Sequence, residues 1–210
     1  MILINRSVDS EYHTQRNNAR IPYSSCNTTA MIMALKQANI VLPDVGDKQP
    51  EDALSELLQT DEAYEMMREL APWAYDAVTD VPIYLPQQVH MTLAWGTNKF
   101  VGADVATFTT SAHHSDLRCA IDEYEGVVLS GRFPMSNGTD LGHIVSLAGY
   151  SHNYDEKGFD WSWIIDDPYG DWHTRYRSHR GNNILFSHNE FERIFSRGPD
   201  VHYAHFVRRV

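Results

Sequence analysis

Cysteine is scarce in this sequence. Only Cys26 and Cys119 occur among 210 residues, and no CxxC pair is present. Two cysteines are too few for the disulfide framework of a small secreted protein. We therefore expect a reduced compartment and one thiol that is free to react; a structural disulfide is the less favoured alternative.

Positive charge is also scarce. The chain has 17 Lys and Arg residues against 28 Asp and Glu, which gives a formal net charge of -11. No stretch concentrates Lys and Arg, so the chain lacks the basic face that holds proteins on polynucleotides or anionic membranes by counterion release. We predict that nucleic acid is not a partner.

Long apolar runs are absent as well. No stretch approaches the ~20 residues that cross a bilayer. The N-terminal segment MILINRSVDSEY has neither a basic start with a long apolar run nor a small-residue cleavage site. The sequence therefore predicts no stable membrane insertion and a cytoplasmic location where the chain is synthesised.

The chain shows no internal repeat, low-complexity tract or Ser/Gly-rich linker, so we expect a single domain over residues 1–210. Apolar residues recur at helical spacing from about residue 24 to 124, whereas later segments are rich in β-branched and aromatic residues. A helical first half followed by a mostly antiparallel sheet is an α+β fold.

Five helices are predicted in the first half. One begins after Ser24 or Ser25 and carries the apolar stripe Ala30, Met31, Ala34, Leu35 and Ala38. The others begin at Pro50, span 61–71, lie within 86–95, and span 116–124 with Gly126 as the C-cap. The segment 43–110 should therefore be mostly helical. The predicted strands are GVVLSGRF, HIVSLAGY, WSWIIDD, NNILF and VHYAHFVRR.

Cys26 follows the segment PYSS and opens the first predicted helix. Unpaired N–H groups and the positive end of the helix dipole lower the pKa of a thiol at such a position, and the backbone N–H of Cys26 is free to bind an oxyanion. These features predict a nucleophile. Judged on the local sequence alone, a small buried hydrophobic residue is an equally good interpretation.

A histidine and an aspartate of the second half could complete a catalytic site. His143 starts an apolar strand, and a hairpin centred near Asp155 would set it opposite Asp167 on the next strand. Asp167 is held extended by the proline that follows it, while Asp166 points to the other strand face. Asp167 would then orient His143, and His143 would pair with Cys26 or remove its proton.

Each of these residues also has a structural interpretation: His143 as a hydrogen-bonded histidine at a strand edge, and Asp167 as the start of an Asx-Pro turn. However, they follow Cys26 by 117 and 141 residues. This is close to the papain-like order, in which the histidine and its orienting residue come ~130–150 residues after the cysteine. Three coincident structural roles are less plausible than one cysteine-nucleophile site.

Two histidine pairs invite a metal interpretation: His113 beside His114, and His202 three residues before His205. Residues 202 and 205 face opposite sides of the predicted strand, and neither an HExxH nor a CxxC motif accompanies them. We therefore predict solvated histidines, no metal site and no cofactor.

Four short motifs resemble those of the C39-like cysteine peptidases of bacteria and phages, papain-like relatives of the double-glycine leader peptidases. They are YHTQRNN at 12–18, SCNTT at 25–29, GHIV at 142–145 with GY at 149–150, and DDPYG at 166–170. The resemblance runs from about residue 12 to 195. The segment 43–110 is its main departure, since it has no counterpart in the compact leader peptidases.

The resemblance implies a papain-like fold in which Cys26 is the nucleophile, His143 the base and Asp167 the third member of a triad. It further implies that the amide of Gln15 helps to form the oxyanion hole. Without the resemblance, Gln15 would be interpreted as a polar loop residue.

These features predict a cysteine-dependent hydrolase of peptide bonds, with a phage or bacterial cell-wall lysin acting on peptidoglycan peptides as one specific form. Two alternatives stay open. One is a peptide-binding module that keeps the fold without turnover, and the other is an acyl transferase or deamidase that uses the same three side chains. The predicted partner is a peptide or peptidoglycan substrate.

Overall fold

The computed structural model describes residues 1–7, 11–135, 138–155 and 158–209. Its helices are α1 Cys26–Gln37, α2 Pro50–Leu57, α3 Asp61–Leu70, α4 His90–Val101, α5 His114–Asp122 and α6 His188–Phe195. Its strands are β1 Ile2–Asn5, β2 Ala106–Ala112, β3 Gly126–Pro134, β4 Asp140–Asp155, β5 Gly158–Asp166, β6 Ile184–Ser187, β7 Ser196–Gly198 and β8 Val201–Val207.

The strands form one antiparallel sheet in the order β2-β8-β3-β4-β5-β6, with β1 paired to β4 and β7 paired to β8. Helices pack against both faces of this sheet. The alternation along β3 shows why: Val127 and Leu129 join the core beneath α5 and α6, whereas Val128 joins the core beneath α1. The predicted α+β class is confirmed.

Helix α1 is the central helix of the molecule, and all but two of its residues are buried. It packs against β3 and β4 on one side and against α2 on the other. A helix enclosed in this way is apolar over most of its surface, which explains the strong apolar pattern of its sequence.

Helices α1, α2, α3 and α5 lie close to their predicted positions, and the helix predicted within 86–95 is the longer α4, preceded by a 3₁₀ turn at Pro86–Gln88. The segment 43–110 contains α2, α3 and α4, and its end begins the edge strand β2, which is absent from the predicted elements. Helix α6 and the short strands β1 and β7 were also not predicted.

Gly126 is not the C-cap of α5. Tyr124 takes the left-handed backbone conformation after that helix, with φ of 61°, and Gly126 begins β3. A Cβ atom on Gly126 would lie 2.1 Å from the Ala34 carbonyl oxygen. Glycine is therefore needed because α1 approaches the sheet closely at this point.

The predicted hairpin register is wrong. Strands β4 and β5 pair from Asp155 with Gly158 to Ser146 with Asp166, with a bulge between Leu147 and Gly149. The pairing with β5 ends before His143, which pairs instead with Gly131 of β3. His143 and Asp167 are therefore not cross-strand neighbours.

Across the described ranges, no helix combines the length and the apolar character needed to cross a membrane.

Candidate active site

Cys26 is the first residue of α1, and its side chain is partly exposed. The chain before it is held by buried hydrogen bonds: the Asn18 amide donates to the hydroxyls of Ser25 (2.8 Å) and Thr29 (3.0 Å). Ser25 therefore occupies the N-cap position without capping the helix through its own side chain. At position N1, the backbone N–H of Cys26 has no partner within the helix.

His143 and Asp167 lie in direct contact although their strands do not pair there. The His143 Nε2 atom is 2.7 Å from Asp167 Oδ1, and both side chains are buried. Since Nε2 is engaged by Asp167, Nδ1 is the ring nitrogen that faces the Cys26 thiol, to which His143 is hydrogen bonded. The imidazole thus links the thiol to the carboxylate.

The Asp167 carboxylate is fixed by further donors. The Tyr169 backbone N–H donates to Oδ1 (2.8 Å), and the Tyr176 hydroxyl donates to Oδ2 (3.4 Å). Asp166 points away, accepting hydrogen bonds from the Gln37 amide and the Asn183 backbone N–H.

The pKa values of the contacting pair shift in opposite directions. Burial alone would raise the pKa of Cys26, but the hydrogen bond and charge of His143 and the Ile144 N–H outweigh it and hold this pKa below its ordinary value. Burial alone would lower the pKa of His143, but the charge and hydrogen bond of Asp167 and the contact with Cys26 raise it to about 10. Both shifts favour a thiolate beside an imidazolium.

Gln15 lies between the two loops that bear the reactive groups. Its backbone N–H donates to the Pro168 carbonyl (2.9 Å), and its side-chain Nε2 donates to the Pro22 carbonyl (2.7 Å). The side chain is buried. A primary amide has two N–H groups, so one is used by Pro22 and the second is the group that an oxyanion-hole role would require.

A cleft of about 380 Å³ opens over the thiol. Its walls come from the loop around Cys26, from the start of β4 and from the 43–110 segment. The lining residues include Tyr23, Asn27, Tyr84, His90, Leu141 and Ile144. Polar side chains also line it, among them Ser24, Gln88 and Ser130, so the cleft is mixed in character.

Gln87 is a buried residue of the 43–110 segment that sequence analysis did not single out. Its side-chain amide donates to the Ser24 carbonyl (3.2 Å), and its own backbone carbonyl accepts a hydrogen bond from the Asn27 side chain. Ser24 and Asn27 flank Cys26, so this segment holds the loop of the thiol on both sides. A contact between residues 60 positions apart leaves no local pattern in the sequence.

The prediction of solvated histidines is wrong for His202 and His205, which are both buried. They do face opposite sides of β8, as predicted: His205 contacts His90, and His202 lies against His114. Within the described part of the chain, the side chains of His114, Asp200 and His202 form one group whose geometry suits a metal ion. None of these three residues lines the cleft.

The family model of the Peptidase_C39 like family matches residues 8–195. Among solved structures, the chain is similar to a crystal structure of a C39-like peptidase from Bacillus anthracis, with 16% sequence identity and a TM-score of 0.56. That likeness covers 100% of this chain and 99% of the other, and at this identity it shows the fold. A comparison with curated proteins gives no match.

Proposed function

This chain belongs to the C39-like peptidase family, and we propose that it is a cysteine peptidase in which Cys26 is the nucleophile, His143 the general acid and base, and Asp167 the residue that orients His143. The single observation that carries the proposal is the position of the buried His143 imidazole. One of its nitrogens lies 2.7 Å from Asp167 Oδ1, and the ring is also hydrogen bonded to Cys26. This is the arrangement that thiol-dependent acyl transfer requires.

In the proposed reaction, the Cys26 thiolate attacks the carbonyl carbon of a peptide bond and forms a tetrahedral oxyanion. The His143 imidazolium then donates its Nδ1 proton to the amide nitrogen, the C–N bond breaks, and the amine leaves behind a thioester. Neutral His143 next removes a proton from water, and the resulting hydroxide adds to the thioester. The C–S bond breaks, the carboxylic acid is released, and the thiolate–imidazolium pair is restored.

The oxyanion would be bound by two donors. The first is the backbone N–H of Cys26, which begins α1 and has no partner within that helix. The second is the remaining N–H of the Gln15 amide, whose orientation is fixed by the bond to Pro22. Buried donors that are already oriented lose little free energy to reorganisation when negative charge develops.

The proposed substrate is a peptide that lies across the cleft, whose apolar and polar side chains could contact both its side chains and its backbone. A cell-wall lysin acting on peptidoglycan peptides is the more specific hypothesis. Purified murein tests it. Release of soluble fragments by wild-type protein but not by Cys26→Ala would support the lysin hypothesis, and cleavage of free peptides alone would reject it in favour of a general peptidase.

The decisive experiment uses Cys119→Ser protein as the parent, so that Cys26 is its one thiol, and compares this parent with Cys26→Ala, His143→Ala and Asp167→Asn made in it, on a fluorogenic peptide library. We expect cleavage by the Cys119→Ser parent, none by Cys26→Ala or His143→Ala, and inactivation by alkylation of Cys26. Retention of cleavage in Cys26→Ala would reject the proposal.

The same variants separate the two alternatives. A binding module would show peptide affinity that alkylation does not change, without cleavage. An acyl transferase or deamidase would consume an amide donor and yield a new amide or ammonia without breaking the peptide backbone. Mass spectrometry of the products distinguishes these results from hydrolysis.

A further inference from the structure

A cluster of histidines and carboxylates lies where α5, α6 and the turn before β8 meet. His114 is the first residue of α5, Glu192 belongs to α6, and Asp200 and His202 lie at the start of β8. One ligand atom from each of His114, Asp200 and His202 falls within 4.8 Å of the others. No residue of this cluster takes part in the proposed hydrolysis.

His114 is already held by two carboxylates. Its Nδ1 lies 2.7 Å from Asp200 Oδ1, and its Nε2 lies 2.7 Å from Glu192 Oε1. A metal ion would take the place of the hydrogen between Nδ1 and Asp200, while Glu192 accepts the Nε2 hydrogen. A carboxylate that fixes the tautomer of a histidine in this way is the usual support for a metal-binding imidazole.

His202 is the unusual member of the cluster. Its side chain is fully buried, and in the described part of the chain neither of its ring nitrogens has a hydrogen-bond partner. The Glu192 carboxylate is 3.6 Å from Nε2, and the Phe195 backbone is nearby without meeting hydrogen-bond geometry. Leaving a buried polar group unpaired is destabilising, so a ligand for His202 would remove that cost.

We propose that His114, Asp200 and His202 bind a divalent transition-metal ion, with Zn²⁺ as the best match, and that Glu192 orients His114. Two imidazoles and one carboxylate form a donor set that zinc prefers. Ligand bonds of about 2.0–2.2 Å in a tetrahedron place donor atoms roughly 3.4 Å apart. The ligand atoms lie within 4.8 Å of one another, so binding would draw the more distant donors together and open the 2.7 Å contact between His114 and Asp200. Asp200 is about half exposed and leaves a path for the ion.

The ion would connect the beginning of α5 to the beginning of β8. Binding to the folded chain alone stabilises the protein in proportion to the logarithm of the metal concentration. The site is therefore expected to act on stability, and its proposed role does not depend on hydrolysis by Cys26.

Zinc titration of metal-free protein tests the proposal. The parent should carry Cys26→Ala and Cys119→Ser, because a thiol beside an imidazole also binds zinc. Calorimetry should show one site per chain at micromolar or tighter affinity, and thermal unfolding should shift upward with ZnCl₂ but not with MgCl₂.

The variants locate the site. His202→Gln and Asp200→Asn should each weaken zinc binding at least about tenfold. His205→Gln removes a buried histidine from the same strand on its opposite face and should leave the affinity unchanged. Asp200→Asn is expected to fold like the parent, since the Asp200 side chain is about half exposed, so a loss of zinc binding in this variant reports on the site itself. Absence of a stoichiometric zinc site in the parent, or equal affinity in parent and Asp200→Asn, would overturn the assignment.

Discussion

His143 is the residue on which the proposed chemistry depends, because its imidazole contacts the Cys26 thiol through one nitrogen and the Asp167 carboxylate through the other. The hydrogen bond and charge of His143 lower the pKa of Cys26, and the charge of Asp167 raises the pKa of His143. Each of the three groups therefore sets the ionisation of its neighbour, and changes to any one of them should be visible in pH profiles.

The pH dependence of kcat/KM should be a broad bell. The active pair needs a thiolate and an imidazolium, so activity is gained as pH rises through the lowered pKa of Cys26. It is lost as pH rises through the raised pKa of His143, at about 10. Rates measured from pH 4 to 11, alongside the alkylation rate of Cys26 in Cys119→Ser protein, check this. Alkylation that begins only near pH 9 would contradict it.

Asp167→Asn should lower kcat/KM by roughly 10²–10⁴-fold. The amide removes the negative charge that raises the pKa of His143, so the alkaline limb of the profile should also move to lower pH. Asp166→Asn is the matched control, because Asp166 accepts its hydrogen bonds on the other side of the strand. Equal pH profiles for both variants would contradict the assigned role of Asp167.

At the scale of elements, the segment 43–110 holds the nucleophile loop through Gln87, which contacts the residues on either side of Cys26. The sequence predicts helical character for this segment. Its contacts with the nucleophile loop join residues 60 and 63 positions apart, which local sequence patterns do not report.

Gln87→Ala should lower the free energy of unfolding by about 1–3 kcal/mol, because it removes a fully buried side chain together with its hydrogen bond to the Ser24 carbonyl. It should also reduce kcat more than KM, since the loop of the thiol is less firmly held. Gln59→Ala, a partly exposed amide in the same segment, serves as the control. Chemical denaturation and steady-state kinetics provide both readouts, and a change in KM alone would contradict a positioning role.

Close packing of α1 on the sheet gives a second prediction at this scale. Gly126→Ala should destabilise the protein by about 1–3 kcal/mol, because the new Cβ would collide with the Ala34 carbonyl oxygen. Gly198→Ala, where a Cβ meets nothing within 4 Å, should leave the melting temperature nearly unchanged. Equal melting temperatures for the two variants would show that α1 lies farther from β3.

At the scale of the whole molecule, buried histidines should set the response of stability to acid. His90 and His205 share a contact of 2.9 Å between ring nitrogens, which requires at least one neutral ring. Burial lowers the pKa of His90 to about 4 and lowers that of His205 well below its ordinary value. The folded chain therefore takes up these protons at lower pH than the unfolded chain does.

This difference in pKa between the folded and unfolded chain makes the protein less stable as pH falls. The unfolded histidines titrate near pH 6.5 and the folded ones lower, so the stabilisation is present above pH 6.5 and is lost as pH falls towards about 4. Each group changes the free energy of unfolding by at most about 1.4 kcal/mol per pH unit. Urea unfolding at pH 7 and 4.5 should show a smaller loss for His205→Phe than for wild type, whereas the exposed-site control His179→Gln should match wild type.

The sequence by itself determined the fold class, the course of α1 and most strands, and the residues of the proposed triad. Apolar periodicity reports which face of an element is buried, and short motifs report which reactive side chains are present. The family assignment from those motifs is confirmed by the match over residues 8–195.

Only the tertiary structure decided how these parts meet. The pairing of β4 with β5 and the bulge between Leu147 and Gly149 differ from the register predicted from the sequence. Burial of His202 and the contact of Gln87 with the nucleophile loop likewise arise from packing between distant segments. Periodicity carries no information about such pairings, because they depend on how whole elements pack rather than on the residues beside them.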